Sequence, residues 1–217
     1  MSVNTNDKAF ELVIFDWDGT LMDTVGKIVS CMQGVAHELN LPVPTEQQVR
    51  DVIGLSLPNI MPILFNEHQN PQQIIDCYRR HHLASDHPTP LFDGVELLVK
   101  QLHEAGYLLA IATGKAREGL DKVLELTGLD QYFHASRCAS DAQSKPHPEM
   151  LNALLSHFDV SADKAIMIGD SIHDLTMANN AQMASIGVSY GAHDESRLLG
   201  LKPLAVVDQP SAIRHYL

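Results

Sequence analysis

Cysteines and long apolar runs are scarce in this chain, and each scarcity excludes a class of protein. Only three cysteines occur among 217 residues, far apart and odd in number, so neither a disulfide framework nor zinc-type cysteine spacing is visible. No apolar run approaches the ~18 residues that cross a bilayer, and the first eight residues have no apolar signal core. We therefore expect a cytoplasmic protein that has no membrane partner.

Positive charge is also in short supply. Lys and Arg total 15 against 27 Asp and Glu, which leaves a net charge of −12 with histidine neutral. Such a surface repels phosphate backbones, so nucleic acid is disfavoured as a partner. Hydrophobic residues make up 45% of the chain and charged residues 19%, which is the composition of a folded globular protein rather than a disordered one.

Short apolar segments alternate with helical patterns over most of the chain. Leu12–Phe15 is a β-rich apolar run that stops at a polar loop, as a buried strand does. The spacing predicts further strands at 108–112, near 133–137, and at 165–168, 184–188 and 204–207, with helices at 95–105, 117–127 and 148–158. This alternation predicts right-handed βαβ units. The expected fold is α/β, a Rossmann-like parallel-sheet core with helices on both faces.

A helical block interrupts the alternation between the first and second strands. Apolar residues from Val25 to Leu39 follow a helical spacing, Thr45 and Gln48 form a capping-box pattern, and Pro71 opens a further helix. The proline-rich stretch 85–90 is incompatible with regular structure and marks a junction. We predict a small α-helical cap domain at 22–91, inserted into a core formed by 1–21 and 92–217.

Four polar motifs stand at or near predicted strand ends. They are Asp16-Trp17-Asp18-Gly19-Thr20, Thr113-Gly114-Lys115, Lys145-Pro146 and Gly169-Asp170. In an open parallel sheet, ligands bind outside the carboxyl ends of the strands, so these motifs are expected to converge. Any one of them alone is more often an ordinary turn or a solvated lysine than a site. All four in order predict a site for phosphate chemistry.

The aspartates carry the metal prediction. Asp16 and Asp18 are two residues apart, so in an extended backbone both side chains point to the same side. Converging carboxylates repel each other unless a cation joins them, and Mg²⁺ prefers oxygen ligands of this kind. Asp170 supplies a further carboxylate from a neighbouring strand. Thr113 can hydrogen-bond a phosphoryl oxygen, and Lys145 can neutralise charge on that group.

In these four motifs the sequence resembles the haloacid dehalogenase-like phosphatase superfamily. The resemblance covers nearly the whole chain and includes Asp174 after Gly169-Asp170. The cap position, with Asp23-Thr24 after the first motif, is similar to the phosphoglycolate phosphatase-like branch. That branch also contains β-phosphoglucomutases and phosphonoacetaldehyde hydrolases. The motifs do not encode the substrate.

The resemblance implies a role for each motif residue. Asp16 is the nucleophile that forms an aspartyl-phosphate, and Asp18 protonates the leaving oxygen and then activates water. Lys145 stabilises Asp16 and the transferring group, while Thr113 and the Gly114 amide hold phosphoryl oxygens. The expected magnesium ligands are Asp16, Asp18 (through its backbone carbonyl) and Asp170, with Asp174 close to the metal or holding Lys145. Ser144 stands where the family commonly has glycine, which puts the conformation of that loop in doubt.

The cap distinguishes the remaining alternatives. We predict that Arg79 or Arg80 reaches an anionic part of the substrate. By resemblance, the mutases carry a basic residue in the cap loop and the phosphonate-cleaving relatives carry a cap lysine that forms a Schiff base. The cap loop at 54–57 contains no Lys or Arg, and Lys27 is the only lysine in the cap, so both alternatives are disfavoured. A non-catalytic phospho-ligand binder is expected to lack Asp16, Asp18 or Lys145, and none is lost. The prediction is a magnesium-dependent phosphatase for a small phosphate monoester, present as a monomer or weak homodimer.

Overall fold

The computed structural model describes residues 8–65 and 70–217. Its six strands form one sheet in the order β3-β2-β1-β4-β5-β6. They are β1 (Leu12–Phe15), β2 (Leu108–Thr113), β3 (Ala135–Cys138), β4 (Ala165–Gly169), β5 (Ala184–Val188) and β6 (Ala205–Val207), and every neighbouring pair is parallel. This confirms the predicted α/β core.

Alternating side chains of the strands explain why helices cover both faces. On β1, Val13 and Phe15 face one apolar cluster, and Leu12 and Ile14 face another. The core helices are α5 (Val95–Glu104), α6 (Arg117–Thr127), α7 (Glu149–Phe158), α8 (Ile172–Asn180), α9 (Glu195–Leu199) and α10 (Pro210–Ile213). Helix α5 packs on the first face, and α7 and α8 pack on the second. Burial on both faces is what a parallel sheet requires.

Four helices lie between β1 and α5: α1 (Val25–Glu38), α2 (Glu46–Arg50), α3 (Leu57–Phe65) and α4 (Pro71–Ala84). Their buried residues form a third apolar cluster, to which the core contributes Ala192. The capping box predicted at α2 is present, since Thr45 Oγ1 accepts from the Gln48 N–H at 3.2 Å and Gln48 Oε1 accepts from the Thr45 N–H at 2.8 Å. Within the described ranges, no helix is both long and apolar enough to cross a membrane.

Several elements differ from the sequence-based expectation. Helix α3 was not predicted, because its prolines at positions 58 and 62 are breakers and outweigh its apolar pattern. The short helices α9 and α10 were also missed, since one turn carries no measurable periodicity. Helix α7 begins at Glu149 rather than Pro148, which occupies the N-cap.

The strand order reverses between β1 and β4. From β1 the chain goes to β2 and β3 on one side, then returns to β4 on the other. Phe15 pairs with Ile168, and the Asp16 N–H donates to the Ile168 carbonyl at 2.9 Å. Asp16 and Asp170 therefore follow two adjacent strands at the point where a crevice opens in such sheets.

Candidate active site

Three aspartates meet at the carboxyl ends of β1 and β4. One carboxylate oxygen from each of Asp16, Asp170 and Asp174 lies within 4.8 Å of the others, and all three residues are buried. We call these three residues the carboxylate cluster. The predicted convergence of Asp16 and Asp170 is thus observed, and Asp174 joins them from the first turn of α8.

Local hydrogen bonds fix two of the three carboxylates. Asp174 is the third residue after the N-cap Ser171, and its Oδ2 accepts from the Ser171 N–H at 3.1 Å, as a capping box does. Asp170 Oδ1 accepts from the Thr20 hydroxyl at 3.2 Å, and its Oδ2 accepts from the Ala192 N–H at 2.6 Å. Gly191 lies so close that a Cβ there would clash with the Asp170 carboxylate.

Lys145 lies between two members of the cluster. Its Nζ is 2.8 Å from Asp16 Oδ1 and donates to Asp174 Oδ1 at 2.6 Å, and its side chain is 0% exposed. Burial lowers the pKa of Lys145, but the attraction of Asp16 and Asp174 outweighs burial and raises it. The lysine therefore stays charged inside the protein.

The negative charge of the carboxylate cluster exceeds the positive charge of Lys145, so a further cation would stabilise it. Burial raises the pKa of Asp16 to about 7 although Lys145 opposes the shift, and burial with the charge of Asp174 raises the pKa of Asp170 well above its ordinary value. Asp16 Oδ2 is buried and has no hydrogen-bond partner among the described residues. A single lysine thus faces three carboxylates. An all-oxygen donor set with an unused oxygen fits a hard divalent cation such as Mg²⁺.

Asp18 lies apart from the cluster, and its partner was not predicted. Its Oδ1 is 3.0 Å from Lys115 Nζ, with the two side chains 15% and 13% exposed. The Asp18 carboxylate is not among the clustered ligand atoms found in the described ranges, so a contact to a metal would have to come from its backbone carbonyl. The signal for Lys115 was present, because it follows Thr113-Gly114 at the end of β2.

Thr113 and Gly114 lie where a loop of the cap approaches the sheet. The Thr113 side chain is buried, and its hydroxyl accepts from the Lys115 N–H at 3.2 Å. A Cβ at Gly114 would come within 2.5 Å of the Gly54 carbonyl oxygen, so only glycine fits there. The cap loop at 54–57 therefore closes directly over the second motif.

Ser144 also takes part in this closure. Its hydroxyl oxygen accepts from the Ser56 N–H at 2.8 Å, joining the loop before Lys145 to the cap loop. The sequence raised doubt only about the loop conformation at Ser144, whereas the structure gives its side chain a partner 88 residues away. Asp51 makes a second connection, since its carboxylate pairs with Arg197 and its backbone carbonyl contacts His173 Nε2 at 2.8 Å.

The cap side of the site contains a histidine that sequence analysis did not assign. His82 stacks on Tyr78 with ring centroids 5.7 Å apart, and its Nδ1 is buried without a hydrogen-bond partner among the described residues. Burial, together with the positive charges of Lys115 and Lys27, lowers the pKa of His82 to about 4. Lys27 Nζ donates to the Ser85 carbonyl at 3.3 Å, three residues beyond His82.

Arg79 and Arg80 are placed on the outer surface of the cap. Arg79 is 3.6 Å from Asp76 on its own helix, and Arg80 is 2.5 Å from Glu38 on α1. Their side chains are 58% and 61% exposed. The structure thus does not bring them to the carboxylate cluster, and their predicted contact with substrate stays a prediction.

Comparisons with known proteins agree with this architecture. Residues 13–188 match the family model described as haloacid dehalogenase-like hydrolase. A probable phosphatase IndB of Dickeya dadantii is 34% identical over 93% of this chain and 91% of its own length, and a phosphoglycolate phosphatase of Vibrio parahaemolyticus is 30% identical over 94% of each. The crystal structure of a predicted phosphoglycolate phosphatase from Haemophilus somnus superposes with a TM-score of 0.86 at 22% identity, covering 97% of this chain and 99% of that one.

Proposed function

The chain belongs to the haloacid dehalogenase-like hydrolase family, and from that premise we propose that it is a magnesium-dependent phosphatase whose substrate is a small phosphate monoester with a second negative charge. The observation that carries the proposal is the buried set of Asp16, Asp170, Asp174 and Lys145 at the crevice of the sheet, with Asp18 beside it. The relatives named as phosphatases support the same reaction class.

The residues of the site suit a two-step phosphoryl transfer. The free oxygen of Asp16 attacks phosphorus, the bond to the leaving oxygen breaks, and Asp18 gives that oxygen a proton. Asp18 then takes a proton from water, which attacks the aspartyl-phosphate and regenerates Asp16. Lys145 lies against Asp16 throughout and offsets negative charge on the transferring group. Thr113 and the Gly114 amide hold phosphoryl oxygens.

The carboxylate cluster would hold the magnesium ion. Asp16 and Asp170 supply carboxylate oxygens, the backbone carbonyl of Asp18 supplies another, and Asp174 stays on Lys145 and Ser171. When bound, the ion neutralises charge that Lys145 alone does not balance and orients a phosphate oxygen. The Ser171 N–H and the Ala192 N–H hold the carboxylates of Asp174 and Asp170 in place.

The second negative charge is inferred from the lining beside Asp18. The leaving group departs next to Asp18, where Lys115 Nζ lies 3.0 Å from Oδ1, and we infer that Lys27 and His82, whose Nδ1 is buried, line the same space from the cap. Two ammonium groups and an unpartnered imidazole favour a carboxylate or phosphate on the leaving group over a neutral sugar. The relative named phosphoglycolate phosphatase is consistent with such a substrate.

The phosphosugar mutase remains the alternative within the same chemistry. A mutase must bind a second phosphate while it turns the substrate round, and the cap loop at 54–57 offers no cation for it. Lys27 and Lys115 do offer cations, so an assay has to decide. We also propose that residues 22–91 act as the specificity cap, and that the enzyme is a cytoplasmic monomer or weak homodimer.

The test compares two substrates that differ in one charge. Phosphate release is measured from 2-phosphoglycolate and from 2-hydroxyethyl phosphate, with magnesium and after exhaustive chelation. We expect release only with magnesium and a higher kcat/KM for the carboxylate. Lys27→Gln should lower kcat/KM for 2-phosphoglycolate by about 10-fold or more and leave the neutral ester nearly unchanged. Lys100→Gln, on the exposed face of α5, is the matched control.

Four outcomes would count against the proposal. Turnover that survives chelation rejects the metal, and equal losses on both esters reject the anionic substrate. Isomerisation of a hexose phosphate faster than phosphate release, or dependence on a bisphosphate activator, would identify a mutase. Absence of turnover on a broad panel of phosphate esters would favour a binding protein.

A further inference from the structure

Side chains of helices α1 and α4 form a second cluster of metal-ligating groups, separate from the carboxylate cluster. The helices are antiparallel, since Gly26 of α1 faces His87 beyond the end of α4 while Gly34, two turns later on α1, faces His81. Lys27 and Glu38 are eleven positions apart on α1, which is about 16 Å along the axis at 1.5 Å per residue. On α1 the second cluster thus lies at the opposite end of the helix from Lys27, whereas on α4 His81 lies one turn before Ser85.

The donor atoms come from Glu38, Cys77 and His81. A carboxylate oxygen, a thiol sulfur and an imidazole nitrogen lie within 4.8 Å of one another. Cys77 and His81 are one helical turn apart on α4 and therefore share a face, and Glu38 reaches them from α1. His81 Nε2 is already 2.9 Å from Glu38 Oε2. Spacing along the sequence conceals this set because its members come from two helices.

A glycine on α1 provides the space that seats the imidazole. Gly34 lies one turn before Glu38, and a Cβ at that position would be 2.9 Å from His81 Nδ1. Glycine inside a helix is less stable than alanine, and here it lets the imidazole approach the backbone of α1 closely. The ring is thereby held with Nε2 toward Glu38.

The other oxygen of Glu38 is engaged separately. Arg80 donates to Glu38 Oε1, so the carboxylate is oriented from outside while Oε2 faces His81. Outer partners of this kind hold metal ligands in register. Cys77 is buried beneath the carboxylate, whereas His81 and Glu38 are partly exposed, which leaves a route for an ion from solvent.

We propose that Glu38, Cys77 and His81 form a zinc site that joins α1 to α4 of the cap. One sulfur, one imidazole nitrogen and one carboxylate oxygen are the ligands Zn²⁺ takes in tetrahedral sites, with water in the fourth position. Mg²⁺ and Ca²⁺ prefer oxygen donors and do not suit this set. On binding, the Cys77 thiol releases its proton to solvent, and His81 binds through Nε2 with its remaining proton on Nδ1.

The experiment uses Co²⁺ as a spectroscopic substitute for zinc in the full, reduced protein. Excess Mg²⁺ is present throughout to saturate the carboxylate cluster. We expect one equivalent of Co²⁺ to produce a thiolate-to-cobalt charge-transfer band, which Zn²⁺ abolishes by competition. The band requires a coordinated sulfur, so it does not report on Asp16, Asp170 or Asp174 and is independent of catalytic activity.

Variants assign the band to the three ligands. Cys77→Ser should abolish the band. Cys31→Ser removes a different buried thiol, which lies on α1, and should leave the band unchanged. Glu38→Gln and His81→Gln should weaken cobalt binding by at least about 10-fold, and Gly34→Ala should weaken it by about 10-fold by displacing the ring. Circular dichroism and magnesium-dependent turnover confirm that each variant is folded.

The proposal is overturned if the band is absent from the native protein, or if it persists in the Cys77→Ser variant. It is also overturned if folded Glu38→Gln and His81→Gln variants both bind Co²⁺ with native affinity. These two substitutions lie at partly exposed positions, so they remain informative even if the Cys77 variant is unstable.

Discussion

The active-site edge and the outer surface of the cap both pair cations with carboxylates, in opposite surroundings. Lys145 is 2.8 Å from Asp16 with both side chains at most 1% exposed, whereas the side chains of Arg80 and Glu38 are 61% and 44% exposed. Removing an ion from water costs several kcal/mol, and an exposed pair contributes only about 0–1 kcal/mol. The buried set therefore reflects the demands of chemistry rather than of stability.

The pKa values of the acids show the same contrast. Burial raises the pKa of Asp16 to about 7 despite the neighbouring lysine. Hydrogen bonds from Arg80 and His81 instead lower the pKa of Glu38, because solvent removes the penalty for charge there. Similar partners thus shift two carboxylates in opposite directions, and the depth of burial decides which effect is larger.

The largest expected effect comes from removing the carboxylate of Asp16, the proposed nucleophile. Asp16→Asn keeps the size of the side chain but removes its charge, its nucleophilicity and one metal ligand. Turnover of an aryl phosphate should fall by at least about 10³-fold. Asp76→Asn removes a surface carboxylate of the cap and should leave turnover nearly unchanged. A purified Asp16→Asn enzyme that keeps a tenth of native activity would contradict the assignment.

Lys145→Met tests the buried cation. Without it, the carboxylate cluster loses its only close basic partner among the described residues, and removing one partner of a buried pair destabilises a protein by roughly 3–5 kcal/mol. Urea unfolding in the presence of a chelator measures this loss. Lys100→Met, at an exposed position on α5, should change the free energy of unfolding little. Equal stabilities of the two variants would show that the site is better hydrated than its burial indicates.

His193 provides an intermediate case, a buried histidine outside the carboxylate cluster. Its Nδ1 accepts from the Ile172 N–H at 2.9 Å, and burial lowers its pKa to about 4. Because that value lies below the ordinary 6.5, protonation favours the unfolded chain. The contribution of neutral His193 to the free energy of unfolding is therefore complete above about pH 6.5. It is lost as the pH falls toward 4, and the loss is on the order of 2 kcal/mol.

A substituted acceptor isolates this contribution. His193→Asn keeps an acceptor for Ile172 but does not titrate, so its free energy of unfolding should fall less between pH 6.5 and pH 4 than that of the native protein. His215→Asn, at an exposed position, serves as the control and should reproduce the native pH dependence. Parallel curves for all three proteins would exclude His193 as the source.

The smallest effect is expected at the surface arginines. Arg79→Gln and Arg80→Gln should each change the free energy of unfolding by less than about 1 kcal/mol. From their placement, kcat/KM should also change by no more than about two-fold. A larger loss of kcat/KM with kcat unchanged would restore the substrate contact predicted from the sequence.

Local patterns predicted the elements well wherever the pattern was long or flanked by a clear stop. The apolar run Leu12–Phe15 ends as a strand at Asp16, and α6 ends before Gly128, whose φ of 67° suits glycine. Helix α3 escaped prediction because proline has a strong local preference that packing of Ile60 and Met61 overrides. Tertiary burial here outweighs propensity.

Within the site, the motif residues were predictable and several of their partners were not. Asp16 and Asp170 were predictable because each directly follows a strand, and Lys145 was predictable because it belongs to the Lys145-Pro146 motif. Lys115 ends the second motif, but its pairing with Asp18 is set by the packing of β1 against β2, and the place of His82 depends on how the cap lies over the sheet. The Ser56–Ser144 bond joins two loops that no periodicity connects.

The sequence by itself determined the parallel sheet and the chemical identity of the site, because strand alternation and strand-end motifs are local properties of the backbone. Tertiary structure alone decided that Lys115 meets Asp18 and that Arg80 meets Glu38 instead of the active site, and it placed Asp174, for which the sequence left two roles open, against Lys145. Which side chains converge depends on how segments far apart in the chain pack together. The spacing of residues along the sequence does not reveal how far apart their side chains lie in space.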